Sequence, residues 1–127
     1  MNEIESFSFN GRLRSFKYAF AGIALMIRSQ HNAWVHALAT VGVTILGFVF
    51  GISPGDWCWI VVVVVGVWTA EALNTAFEFL CDVASPEYHP TVKHAKDVAA
   101  GAVLLAAIGA AIVGCIIFVH RILLLLQ

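Results

Sequence analysis

The chain has 127 residues, of which 61% are apolar and 12% charged, with a formal net charge of −1. That length makes one domain, residues 1–127, and so little charge cannot cover a soluble surface, so the composition indicates an all-α membrane protein. The near-zero net charge offers nothing to nucleic acid, and three separated cysteines without a CxxC pair (Cys58, Cys81, Cys115) exclude a disulfide or zinc framework.

The chain opens with MNEIESFSFN, which is acidic and has no apolar core, so no cleavable signal is expected there. Residues 11–29, GRLRSFKYAFAGIALMIRS, place Phe16, Phe20, Ile23 and Ile27 at steps of four, three and four, the spacing of one helix face. Arg12, Arg14, Lys17 and Arg28 share this stretch, which predicts an amphipathic helix lying in the membrane interface.

Three apolar segments follow, at about 34–52, 57–80 and 98–119. Each approaches the ~20 residues that a helix needs to cross ~30 Å of hydrocarbon. The turn SPGD at 53–56 is short enough to force the first two spans antiparallel. The β-branched run at 61–65 belongs to the same long apolar block and reads as helix for that reason. Four basic residues precede the first span, none lies in 53–56, Lys93 and Lys96 follow the second span, and Arg121 follows the third. Basic residues mark the cytoplasmic side, which puts the N-terminus and the 81–97 loop there, with Arg121 a mild exception. Trp34, Trp57 and Trp59 fall at expected span ends, where indole favours the interface.

The second span ends in TAEALNTAFEFLCD, residues 69–82. At 100° per residue, Glu78 and Asp82 fall about 20° to either side of Glu71, with Asn74 about 60° away. One stripe therefore carries three carboxylates and an amide over about 16 Å of helix. An acidic side chain at mid-membrane costs ~2.5–3.5 kcal/mol on insertion scales, so such a stripe is not a solubility device. A polar seam between packed helices would account for Asn74 alone. Glu71 together with Glu78 points instead to a metal or proton-transfer site.

Pro86 and Pro90 end the second span and set the turn into the third, which starts at Pro90 or Thr91. Lys93 and Asp97 are helical i, i+4 neighbours, and Lys96 stands opposite the end of the acidic stripe, where it can meet phosphate as a point charge. Carboxylates beside a lysine suit a divalent cation and a polyphosphate, because Mg²⁺ takes one or two carboxylates plus phosphate oxygens. That set predicts phosphoryl transfer to a lipid alcohol at the interface, with Glu71 accepting the hydroxyl proton. No GxxxxGK[ST] or GxGxxG occurs, so a P-loop or protein-kinase nucleotide site is excluded. His31, His36, His94 and His120 read as interfacial histidines bonded to backbone or headgroups. Two other classes compete: a small oligomeric bundle that transports a cation past Glu71 and Glu78, and an accessory subunit whose stripe binds partner helices. The acidic groups cluster in one half of the membrane, and 98–119 carries no Asp, Glu, Lys, Arg or His, which favours a surface reaction over a pathway.

The segments EALNTAFE (71–78), EYHP (87–90) and AKDVAAGAV (95–103), with Asp82, YAFAG (18–22) and NAWVH (32–36), resemble the bacterial integral-membrane diacylglycerol kinase and undecaprenol kinase family across nearly the whole chain. The resemblance implies a homotrimer of three-span subunits in the bacterial inner membrane, each with an N-terminal surface helix. The family uses MgATP to phosphorylate a membrane lipid alcohol. Carried over by resemblance, Glu71 is the catalytic base, Asn74 and Asp82 support the site, and Glu78 holds Mg²⁺. Lys96 and Asp97 match residues that handle the ATP phosphates. Glu87, Tyr88 and His89 match the loop near the adenosine, and Tyr18 a nucleotide-side aromatic. Where many relatives carry a second metal-binding glutamate, this chain has Gln30, whose amide oxygen coordinates more weakly. NTAFE, HP and KDVAAGAV resemble the undecaprenol branch slightly more, although an apolar pocket fits an acyl chain and an isoprenoid almost equally.

Overall fold

The computed structural model describes residues 8–127. The N-terminal stretch before them, expected to carry no cleavable signal, lies outside the described residues. The fold among the described residues is four helices in chain order: α1 (Phe9–Ser29), α2 (His31–Phe50), α3 (Pro54–Ala84) and α4 (Pro90–Leu125). By length and composition α2, α3 and α4 can each cross a membrane.

Local chemistry fixes each boundary. Ser8 Oγ accepts from Gly11 N at 3.3 Å and starts α1. Gln30 adopts extended backbone (φ −110°, ψ 120°), ending α1 and opening α2 in a single residue. Gly51 ends α2 in the left-handed region at φ 57°, where a residue without Cβ is favoured. A capping box follows at once. Ser53 Oγ accepts from Asp56 N, the Asp56 carboxylate accepts from Ser53 N, and Pro54 pre-sets the first turn of α3. At the start of α4, His89 Nδ1 accepts from Thr91 N at 3.2 Å and Pro90 takes the first helical position.

The helices differ in extent from the apolar segments read from sequence, because caps rather than hydropathy end them. The first span begins at His31 instead of 34. The second runs on through the acidic stripe to Ala84. The third takes in the polar turn from Pro90 and continues to Leu125. With 31 and 36 residues, α3 and α4 extend about 46 and 54 Å, well beyond the ~30 Å of hydrocarbon. The polar ends at 78–84 and 90–97 therefore emerge together on one side.

Between elements, α3 and α4 share the longest contact in the chain. Ile52, Ile60 and Ile117 form a small buried core, with Val43, Phe50, Trp57 and Phe118 around it. Gly47 admits the Trp57 ring so closely that a Cβ there would lie 2.7 Å from it. Arg121 Nε donates to the Phe50 carbonyl at 2.8 Å, satisfying the exposed end of α2. This contact gives Arg121, the exception in the basic-residue pattern, a local structural partner. Most large apolar side chains face outward, including Phe16 and Phe20 of α1, Leu38 of α2, Leu80 of α3 and Leu105 of α4.

Candidate active site

Among the described residues the largest fully buried side chain is a carboxylate, Glu71, at 0% exposure; Asn74 (5%) and Thr75 (3%) lie beside it on α3. A single chain thus shields this part of the stripe. α4 makes the burial possible by presenting small and branched residues there: Ala100, Val103 and Ala107 face Glu71 and Asn74 across a cavity of about 190 Å³. Thr75 Oγ1 donates back to the Glu71 carbonyl at 2.9 Å, so it takes up no site atom.

Among the described residues, four buried polar atoms have no hydrogen-bond partner: both carboxylate oxygens of Glu71, Asn74 Oδ1 and His36 Nε2. All three residues line that one cavity. Unpaired polar atoms in an apolar interior are costly, so their convergence marks a place built to meet a ligand. His36 Nε2 stands 3.6 Å from Glu71 Oε2. Reading His36 as an interfacial group bonded to backbone or headgroup is therefore corrected: it is largely buried and faces the central carboxylate.

One and two turns further along α3, towards the polar end, the second cluster forms. Glu78 accepts from Gln30 Nε2 at 2.7 Å and from Asn74 Nδ2 at 3.3 Å. Gln30 reaches it because the extended residue between α1 and α2 lies at this level. A third cluster joins the polar ends of α3 and α4. Lys96 Nζ donates to Asp82 Oδ1 at 2.5 Å, and Lys93 Nζ to Asp97 Oδ2 at 2.6 Å. These hydrogen bonds hold both ammonium groups above their usual range, Lys96 through Asp82 and Lys93 through Asp97.

The remaining candidates stand apart. Tyr18 and Tyr88 are 69% and 79% exposed, Glu87 is exposed, and its carbonyl accepts from Ser85 Oγ. The ring nitrogen of His89 is engaged in capping α4. Within one chain the structure thus unites Glu71, Asn74, Glu78 and Gln30, and separately Asp82 with Lys96, but does not bring Tyr18, Glu87, Tyr88 or His89 into those clusters.

A second, apolar cavity of about 730 Å³ extends between α2, α3 and α4, walled by residues such as Val43, Val64, Ala111 and Phe118. It shares His36 and Ala107 with the cavity at Glu71. A buried carboxylate and amide cluster set between the polar ends of three membrane-length helices and an apolar groove that runs from His36 towards Phe50 and Ile122 is the arrangement of a membrane enzyme.

Comparison with known proteins gives the class its family. The profile described as prokaryotic diacylglycerol kinase matches residues 17–118. The undecaprenol kinase of Bacillus subtilis is 37% identical over 120 residues, covering 94% of this chain and 94% of that protein. A diacylglycerol kinase of Synechocystis is 39% identical over 103 residues, 80% of this chain and 59% of that protein. The chain belongs to the prokaryotic diacylglycerol kinase family, and it is a lipid kinase. The transport and accessory-subunit readings fall away with that assignment.

Proposed function

We propose that this kinase transfers the γ-phosphoryl group of ATP to the hydroxyl of a membrane lipid alcohol, undecaprenol or diacylglycerol, at the cytoplasmic face of the bacterial inner membrane. Glu71 is the general base. The observation that carries this reading is the buried Glu71 carboxylate, unpartnered at both oxygens among the described residues and opening on a cavity joined to an apolar groove. In the groove the lipid chain exchanges one apolar environment for another, while its hydroxyl comes to Glu71. The carboxylate takes the hydroxyl proton as the alcohol oxygen bonds to the γ-phosphorus and the bond to the ADP oxygen breaks. The similarity along 94% of both chains to a protein named undecaprenol kinase favours undecaprenol as the first acceptor to test.

The residues around Glu78 fit Mg²⁺. Glu78 offers a carboxylate; Gln30 and Asn74 turn their amide N–H groups to it at 2.7 and 3.3 Å, and rotation of those amides would bring their oxygens to a cation there, Asn74 Oδ1 having no partner among the described residues. Such an all-oxygen set, completed by phosphate, suits this hard cation. When bound, Mg²⁺ neutralises charge on the phosphates and orients them. Lys96 exchanges Asp82 for phosphate oxygens in this scheme, with Asp97 beside it. Tyr18, Glu87, Tyr88 and His89 contact the nucleotide's adenosine end. The basic, apolar-faced α1 lies along the membrane surface, and three chains assemble around the nucleotide sites; for these last points the support is the resemblance in sequence.

The test is direct. Purified protein with γ-labelled ATP and Mg²⁺ is offered undecaprenol or diacylglycerol in parallel. Label is expected in the lipid fraction with at least one acceptor and is expected to vanish on chelation of Mg²⁺. No label in either lipid contradicts the proposal.

A further inference from the structure

The geometry points to His36 as a positioning residue that holds Glu71 through its Nε2–H, so that Oε2 is anchored and Oε1 is left to take the proton of the lipid hydroxyl. This rests on Glu71 being the base. It starts from an imbalance in the site. Glu71 is wholly buried, yet neither of its oxygens has a donor among the described residues. The facing wall from α4 is Ala100, Val103 and Ala107, which has no donor to give. His36 supplies a side-chain nitrogen on the α2 wall, 3.6 Å from Oε2 and itself unpartnered. The gap is slightly beyond hydrogen-bond length, and a small turn of either side chain closes it. Catalytic pairs often stand this far apart before substrate is present.

His36 is itself held in place. Thr40 Oγ1 donates to the His36 carbonyl at 2.7 Å, and Trp68 Nε1 donates to Thr40 Oγ1 at 3.1 Å. The Trp68 ring meets the imidazole edge-on, at 6.3 Å and 71°. The indole thus bears on both the backbone and the ring of His36 and aims it across the α2–α3 interface at Glu71. His36 also stands in the wall common to the apolar groove and the Glu71 cavity. A lipid hydroxyl that passes from the groove to the carboxylate passes the imidazole. A histidine with a purely structural role would have its ring nitrogen bonded to backbone or water; here the facing group is the base.

The experiment compares His36→Gln, which keeps an N–H donor, with His36→Leu, which fills the space without one, and includes Glu71→Gln. Melting temperature is read with kcat and with KM for ATP and for lipid. His36→Leu is expected to lose about 10²-fold in kcat with KM for ATP unchanged, and His36→Gln to recover most of that loss. Equal kcat in the two variants, both high or both low, overturns the inference. Should His36→Leu not fold, His36→Ala is assayed with and without imidazole. Rescue by imidazole supports the role, and an identical rate in both conditions overturns it. An inactive Glu71→Gln beside a fully active His36→Leu removes His36 alone, whereas an active Glu71→Gln removes the base and His36 with it.

Discussion

Glu71 is wholly buried in a membrane-length helix, and no donor in the described residues compensates it. A site tolerates such a group when binding substrate supplies what the resting fold withholds. Position 30 carries a second residue-level consequence. Gln30 donates to Glu78 at 2.7 Å, so Gln30→Glu would bring two carboxylates into contact. That pair needs a proton or a cation between them. The variant is expected to reach half-maximal activity at lower Mg²⁺, and Mg²⁺ should raise its melting temperature more than it raises the wild type's. A large activity loss at every Mg²⁺ concentration would show that Gln30 does not face the metal. Lys96 gives a third expectation. Its pair with Asp82 is exposed and contributes little to the fold, so Lys96→Met should leave the melting temperature nearly unchanged. If the amine meets phosphate, KM for ATP should rise roughly ten-fold; an unchanged KM would place Lys96 outside the nucleotide site.

At the scale of elements, the antiparallel pairing of α2 and α3 was legible from the turn at 53–56, and with it the depth of every residue. Gln30 lies 23 residues before Ser53 and Glu78 lies 22 after Asp56, and the two side chains touch. Thr40 and Trp68 stand 13 before and 12 after and are hydrogen-bonded. The same count gives 17 for His36 and 15 for Glu71. That near-equal depth is the signal in the sequence that matches the two residues. The acidic stripe itself followed from 100° periodicity. What periodicity could not reveal is that α4 presents alanines and valine to that stripe, because a run of small apolar residues has no distinguishable face. The helix ends also escaped hydropathy, since Ser53 with Asp56 and His89 with Thr91 set them by hydrogen bonds. Gly47 lets the two helices approach at the Trp57 ring. Gly47→Ala would force that ring aside and is expected to cost about 1–3 kcal/mol, read as a lower melting temperature in detergent. An unchanged melting temperature would mean that the α2–α3 contact yields freely there.

For the whole molecule, the two polar helix ends emerge on one side, and the buried carboxylate lies below them, between those ends and the apolar groove. With the proposed phosphate-binding groups above and the proposed base beneath, that vertical order is what a reaction between a water-soluble nucleotide and a membrane-bound alcohol requires. Tyr18, Glu87 and Tyr88 stay exposed in one chain, which accords with a nucleotide site completed by a neighbouring copy. Native mass spectrometry from detergent should therefore show a trimer, and a monomer that retains full activity would rule out a shared site.

The central claim, that Glu71 removes the proton from the lipid hydroxyl, is tested most directly by rapid-quench single-turnover measurement on Glu71→Gln, with nucleotide binding followed separately. ATP is expected to bind as it does to the wild type while phosphoryl transfer slows by about 10²-fold or more; transfer at the wild-type rate would contradict the account.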